Sequence, residues 1–296
     1  MKTVLIAGGS GMIGQTLSKF LKNKGFNVLI LSRSKKKAGY LYWNPISKNI
    51  EGKHLDKINV IVNLLGENIG EKKWSNKRKK EIIDSRVNTT RFLFNTRINF
   101  SNLEYYVGAS GINCYGFDDG IIKHSEEDDY GVDFLSEVIK SWEESSRLFL
   151  ENLPGSILRI ASVLDNNGGV LTKMKRPVSL GLGSPLGSGK QLMPWIHVED
   201  LCEIIVHCIE NKLHGTFNAV AACDSNRDVM RALAKAMHRP FFMPMVPVQL
   251  LKWLYGEMSV LILGSMNASN EKIKATGFNF RYSNIEEAVK QLLSKK

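Results

Sequence analysis

Apolar residues follow two rhythms along this chain, and their alternation predicts the architecture. Residues 2–7 form a short apolar run ending in glycines, the mark of a strand buried on both faces. Residues 12–24 then place Ile13, Leu17, Phe20 and Leu21 at helical spacing, and Gly25 closes the pattern. Residues 27–32 read as a second buried strand. This opening is a strand–loop–helix–strand unit, whose crossover is right-handed almost without exception. Further on, residues 40–43 predict a weak strand, 59–65 a strong one and 74–94 a long basic helix. Residues 103–109 predict a strand running into Ser110-Gly111, 133–150 an amphipathic helix and 155–163 another strand. Strands and helices alternating in this way predict an α/β fold, a Rossmann-like doubly wound parallel sheet.

Beyond residue 164 the pattern changes. Residues 168–189 are rich in glycine, with Pro177 and Pro185, and read as loops around short pieces. Residues 195–211 turn from a strand-like start into a helix, 216–220 form a short strand, and 226–238, 248–258 and 284–293 are largely helical. The expected division is a large domain over 1–220, with an excursion at about 165–195, and a smaller, mostly helical C-terminal domain over 221–296. The chain is expected to cross between them more than once.

Composition narrows the classes. Of 296 residues, 43% are hydrophobic, enough to bury a core. No run of about 18 apolar residues predicts a membrane span, and no signal-peptide pattern precedes the first strand. The expectation is a cytoplasmic protein without a membrane partner. Cys114, Cys202, Cys208 and Cys223 make no CxxC pair and no spacing with histidine for a metal, so they read as reduced, buried thiols and no metal site is expected. The net charge of +11 gathers partly in residues 33–37 and 72–80. Lys77-Arg78-Lys79-Lys80 reads as a solvated helix face, and with no nucleic-acid-binding motif beside it no nucleic-acid partner is expected.

The strongest chemistry lies in Gly8-Gly9-Ser10-Gly11-Met12-Ile13-Gly14. Backbone passing close to a pyrophosphate cannot carry side chains, and the first turn needs positive φ. Gly8 and Gly11 would meet those needs, and Gly14 would let the helix pack tightly on the strand. The free N–H groups at the helix start, around Met12 and Ile13, would then face phosphates. Between a buried strand and an amphipathic helix this pattern predicts a dinucleotide site. Where an acidic residue would select NAD, the second strand ends in Ser32-Arg33-Ser34-Lys35. Arg33 can pair bidentately with a 2′-phosphate, with Ser32 or Ser34 adding a hydroxyl, so NADP(H) is the expected cofactor.

Other motifs run along nearly the whole chain. They include Asn63-Leu64-Leu65-Gly66-Glu67-Asn68-Ile69, Trp74, Ser85-Arg86-Val87 with Thr90, and Trp142-Glu143. Later come Gly187-Ser188-Gly189-Lys190-Gln191, Trp195-Ile196-His197-Val198-Glu199-Asp200, Gly256-Glu257-Met258 and Gly277-Phe278-Asn279-Phe280. With these residues the chain resembles the extended short-chain dehydrogenase/reductase superfamily, and most of all its atypical epimerase-family branch, with that branch's own C-terminal domain. The resemblance implies a cofactor lying across the strand ends. Leu64, Leu65 and Gly66 would follow the adenosine ribose side, and Glu67 would lead towards the nicotinamide. Ile83, Arg86 and Asn88, taken as one helix face, would close over it, and Arg159 would reach it from the other side. Arg86 and Arg159 are equally readable as salt bridges anchoring helix to sheet.

Members of this superfamily pair a serine with Tyr-x-x-x-Lys to move a proton as hydride moves at nicotinamide C4. Ser110 stands in the serine's region, but Ser136 rather than tyrosine lies four residues before Lys140. Tyr115 is the best remaining phenol, as catalyst or as packing in the pocket wall. Glu67 would act as acid or base if desolvated, or anchor a ribose or a neighbouring amide. His197 reads as part of a structural turn with Asp200 capping the next helix, while Gln191, Trp195 and Lys190 read as substrate-side residues. The expected function is an NADP(H)-binding oxidoreductase or epimerase-like enzyme acting on a small polar substrate, nucleotide-linked ones included. The alternative is a cofactor-binding sensor or scaffold.

Overall fold

In the first strand, β1 (Thr3–Ala7), Val4 and Ile6 enter one apolar core while Leu5 and Ala7 enter another. Successive strand side chains point to opposite faces, so five buried residues in a row require a sheet covered on both sides. The computed structural model describes residues 1–33, 40–44, 49–51 and 55–294. From β1 the chain runs through α1 (Met12–Asn23), β2 (Asn27–Ser32), β3 (Tyr40–Asn44), β4 (Asn49–Glu51) and β5 (Ile58–Asn63). It continues with α2 (Asn76–Thr96), β6 (Tyr105–Gly111), β7 (Lys123–His124), α3 (Phe134–Leu150), β8 (Gly155–Ile160) and β9 (Ser162–Asp165). Next come α4 (Gly169–Ser179), β10 (Leu192–His197), α5 (Val198–Asn211), β11 (Gly215–Ala219), β12 (Ala222–Ser225) and α6 (Asn226–Ala236). The remainder is α7 (Val248–Tyr255), α8 (Val260–Leu263), β13 (Asn267–Ala268), α9 (Glu271–Ala275) and α10 (Ile285–Ser294).

Eight strands form one sheet in the order β11-β8-β6-β5-β1-β2-β3-β4, and every pairing is parallel except β3 with β4. The order reverses at β1, which pairs with β2 on one side and β5 on the other, so the crevice between the ends of β1 and β5 is the topological switch point. Leu17 and Leu21 of α1 and Leu201 and Ile205 of α5 join the core on the Val4 face. Phe92 and Leu93 of α2 and Phe149 of α3 join the core on the Leu5 face. There Phe149 stacks on Tyr106 with ring centroids 4.0 Å apart.

Three sequence expectations change. The strand expected over 155–163 breaks at Ala161: β8 stays in the large sheet, and β9 leaves it to pair with β10 in a separate sheet ordered β12-β10-β9. The glycine-rich stretch after 168 contains an eleven-residue helix, α4, whose Leu171, Met174 and Val178 are buried at helical spacing, with Pro177 confined to its last turn. The basic run 77–80 is only partly solvated. Lys77 and Lys80 are exposed, but Arg78 is buried between the Glu67 and Glu81 carboxylates at 3.2 and 3.1 Å.

Around residue 220, where the boundary is expected, the chain crosses back and forth. β12 pairs with β10, β13 pairs with β7, and Asn270 Nδ2 donates to the Val220 and Ala221 carbonyls at 3.0 and 3.1 Å. One apolar core runs from Val4 through Trp195 to Val289 and Leu292. Cys114, Cys202 and Cys208 are buried free thiols and Cys223 is half-buried. Burial pushes the Cys208 thiol up to about 12. Among the described residues no helix is long and apolar enough to cross a membrane.

At the opposite end of the sheet from the switch point, Glu104 meets Lys2 at 2.6 Å and Lys212 at 3.7 Å. The Lys2 ammonium chiefly holds the Glu104 carboxyl below its ordinary 4.5. A depressed folded value stabilises above the unfolded one, and that stability is lost as pH falls through the folded value. Glu104→Gln is therefore expected to cost under about 1 kcal/mol at neutral pH, the pair being partly exposed. Urea titrations over a pH series should show the gap between wild type and variant closing below pH 4.5; a gap that widens on acidification would contradict the assignment.

Candidate functional site

The switch point is built by backbone packed too closely for side chains. Gly8 takes φ +89°, and a Cβ there would sit 2.8 Å from the Leu64 carbonyl oxygen. A Cβ on Gly14 would lie 2.5 Å from both the Gly8 oxygen and Gly9 Cα, so only glycine lets α1 press onto the turn. Gly11, with φ −74°, is extended rather than left-handed, and its N–H donates to the Gly8 carbonyl at 3.1 Å. No side chain caps α1, and its first turn holds no acidic residue. Met12 packs beside Gly168 and Gly169, and Ile13 is half-buried against the core. Ser32 is half-buried and Arg33 exposed at the end of β2, while Ser34 and Lys35 lie outside the described residues.

Across the crevice, Asn63 holds the 64–67 loop. Its Nδ2 donates to Thr90 Oγ1 at 2.9 Å and Tyr106 OH at 3.2 Å, and its Oδ1 accepts the Leu65 N–H at 3.2 Å. Arg86 backs the same loop from α2, donating to the Glu67 carbonyl at 2.9 Å and the Ile82 carbonyl at 3.0 Å, with its guanidinium over the Trp142 ring. Its atoms fill the space a Cβ on Gly66 would need. Burial lowers the Arg86 pKa to about 10. Arg86 thus braces the backbone of the 64–67 loop. Glu67 is half exposed and paired with Arg78. Ile83 is half-buried, but Asn88 is exposed. Five residues at about 100° each carry Asn88 roughly 140° around the helix from Ile83, so the two do not share a face.

Behind the strand ends lies a buried polar cluster centred on Glu143, whose side chain is 0% exposed. Its Oε1 accepts from Ser110 Oγ at 2.5 Å and Arg159 Nε at 2.9 Å; its Oε2 accepts from Tyr130 OH at 2.6 Å and Arg159 Nη2 at 3.1 Å. Arg159 Nη1 donates to Tyr115 OH at 2.9 Å, and Tyr115 OH donates to Asn218 Oδ1 at 2.8 Å. Burial pushes the Tyr115 phenol up, and the Tyr130 phenol up to about 12. The Glu143 pairing keeps the Arg159 guanidinium charged despite its burial. Tyr115 also stacks on His124, whose ring nitrogens meet Asp118 at 2.9 Å and Asp128 at 3.1 Å.

Ser110, Tyr115 and Arg159, expected from sequence, are therefore brought together, but inside the protein. Arg159 is the helix-to-sheet anchor. Ser136 and Lys140 form no substitute dyad: Ser136 is buried on Asp133 and the Asn113 carbonyl, and Lys140 is exposed. Glu143 is the central residue that sequence reasoning passed over as a motif position; its signal was a carboxylate on the same stripe as Leu135, Ile139, Trp142 and Phe149. Gln191 and Trp195 are buried and engaged, Gln191 Nε2 with the Leu186 and Ile262 carbonyls and Trp195 Nε1 with Asp224, while Lys190 is exposed. His197 itself caps α5 through the Glu199 N–H. Asp200 instead accepts the Arg281 and Tyr282 N–H groups, each at 3.0 Å, and so ties down the C-terminal segment.

Residues 4–133 match the NAD dependent epimerase/dehydratase family, and residues 246–292 match a domain of unknown function, DUF1731. The chain is similar to epimerase family protein SDR39U1 of Mus musculus, 31% identical over 299 residues that cover 98% of this chain and 99% of the mouse protein. It is also similar to epimerase family protein SH2119 of Staphylococcus haemolyticus, 34% identical over 99% of each chain. The crystal structure of human epimerase family protein SDR39U1 (isoform 2) with NADPH matches with a TM-score of 0.90 at 28% identity, over 99% of this chain and 100% of that one.

The cluster yields a stability test. Glu143→Ala leaves Arg159 buried without its counter-charge, and a loss of about 3–5 kcal/mol is expected. Adding Arg159→Met should restore part of that loss. Denaturant titration of both variants checks this; purely additive costs would show that the two side chains are not coupled.

Proposed function

The chain belongs to the epimerase family, and from that premise we propose that it binds NADP(H) at the β1–β5 switch point and works as an oxidoreductase or epimerase-like enzyme on a small polar substrate. The observation carrying this reading is the contact of Gly14 with the Gly8–Gly9 backbone, which sets the uncapped start of α1 at the crevice. A bare helix start with a side-chain-free turn before it is the cradle a pyrophosphate needs. Gly8, Gly11, Met12, Ile13 and Gly14 would hold the phosphates, and Leu64, Leu65, Gly66 and Ile83 would line the opposite wall. Ser32 and Arg33 would receive a 2′-phosphate. NADPH in the related human structure supports the choice of cofactor. When bound, the cofactor supplies hydride transfer at nicotinamide C4.

One observation favours a second reading. The Ser110 and Tyr115 hydroxyls donate to Glu143 and Asn218, so neither proton is free for a substrate oxygen. In that reading NADP(H) is held without turnover through this pair, and its occupancy sets the pose of the C-terminal segment.

Two measurements test these readings. Fluorescence titration is expected to show NADPH binding at least about tenfold tighter than NADH, since a charge-assisted contact contributes about 1.5–3 kcal/mol. Arg33→Ala should erase that preference, and equal affinities in the wild type would remove the case for NADP. Single-turnover absorbance of bound NADPH across a panel of carbonyl substrates tests turnover. The enzyme reading expects oxidation that slows at least about tenfold in Ser110→Ala and Tyr115→Phe, whereas the second expects unoxidised NADPH in all three proteins.

A further inference from the structure

Thirteen large apolar side chains stand exposed among the described residues, and eight of them fall in two stretches that the fold lays side by side and in the helix α7 that follows the second. Leu180 and Leu182, 75% and 51% exposed, follow α4, while Phe242 and Met245, 75% and 49% exposed, lie on the approach to α7. Backbone bonds join the stretches: the Val246 N–H donates to the Pro185 carbonyl at 2.9 Å and the Gly187 N–H to the Val246 carbonyl at 3.0 Å. Helix α7 extends the surface with Leu250, Trp253, Leu254 and Tyr255, Trp253 being 76% exposed, and Leu251 is its buried anchor. Single exposed apolar residues need no explanation, but a group of this size does.

Charge identifies the occupant. Residues 166–192 and 239–264 hold six cations and a single acidic residue, Glu257. The Glu257 carboxylate is already 2.5 Å from Lys79. Arg176, Lys190, Arg239 and Lys252 are exposed. A second copy of the chain fits poorly, because a self-complementary interface would set cation against cation with no spare carboxylate within these stretches. Tryptophan, tyrosine and aliphatic side chains accompanied by exposed lysine and arginine are what enters the headgroup boundary of an anionic bilayer.

We propose that α7, with the stretches 180–187 and 239–247, docks this protein onto an anionic lipid surface. The apolar side chains enter the headgroup boundary and the cations pair with lipid phosphates. Docking of this kind needs no spanning helix, and among the described residues there is none. The surface adjoins the proposed cofactor crevice: Glu257, just after α7, holds Lys79 of α2, and Leu261 lies against Gly70.

The test sediments the full chain with vesicles of phosphatidylcholine alone, or mixed with phosphatidylglycerol, at low and high salt. The mixed vesicles are expected to carry the chain down at low salt, and the neutral ones to leave it in solution. Trp253→Ser with Leu254→Ser should lower recovery on mixed vesicles at least about tenfold. Arg239→Gln with Lys252→Gln should lower it about fivefold per cation and flatten the salt dependence. Unchanged melting temperatures will show that both variants fold, their positions being exposed. Equal recovery on both vesicle types, recovery unchanged in both variants, or no recovery at all overturns the proposal. If unrecovered chain is dimeric by sedimentation velocity, and monomeric with Trp253→Ser and Leu254→Ser, the surface belongs to a second copy. If it binds soluble polyglutamate instead, the partner is an acidic protein.

Discussion

The ion pair between Glu143 and Arg159 is the contact on which the region behind the strand ends depends. Removing both charges from water costs several kcal/mol per ion, and the pair repays this only because its remaining valences are satisfied. Glu143 takes four hydrogen bonds, from Ser110 on β6, Tyr130 before α3 and two nitrogens of Arg159 on β8. Arg159 passes the chain of contacts on through Tyr115 to Asn218 on β11. Asn218 Nδ2 then reaches the Ser269 carbonyl. One buried carboxylate thereby fixes α3 against three neighbouring strands and reaches the C-terminal segment.

The crevice and the buried cluster are built in different ways. The crevice between β1 and β5 is shaped by backbone, through Gly8, Gly14 and the Asn63-held loop, and leaves helix N–H groups open. Ser110 and Tyr115 donate to internal hydrogen bonds in a low-dielectric interior, where an unpaired polar group is costly. The crevice thus rests on steric permission, and the buried cluster on the pairing of desolvated charges.

The C-terminal segment is held by polar and apolar ties together. Asp200 receives the Arg281 and Tyr282 amides, Asn270 closes onto Val220 and Ala221, and α10 packs its Ile285, Val289 and Leu292 into the core shared with β1. Helix α7 is the exception, since it buries Leu251 and leaves its larger apolar side chains outside.

What the sequence determined by itself was local. The two rhythms of burial predict β1, α1, β2, β5, α2, β6 and α3 to within a few residues, because periodicity and glycine punctuation act over a single element. The glycine loop is legible for the same reason: a turn that excludes side chains must be written as glycine. The exit of β9 from the large sheet, the helix α4 under a glycine-rich stretch and the exposed position of Asn88 were decided by tertiary packing or helix phase. So was the fate of Arg86, Arg159, Ser110 and Tyr115. Their partners lie 16 to 103 residues away or on backbone carbonyls, and a charged or hydroxyl side chain reads the same in sequence whether it faces a ligand or a buried Glu143. Only the folded chain, by bringing Glu143 within hydrogen-bond reach of Ser110 and Arg159, shows which partners those two side chains have.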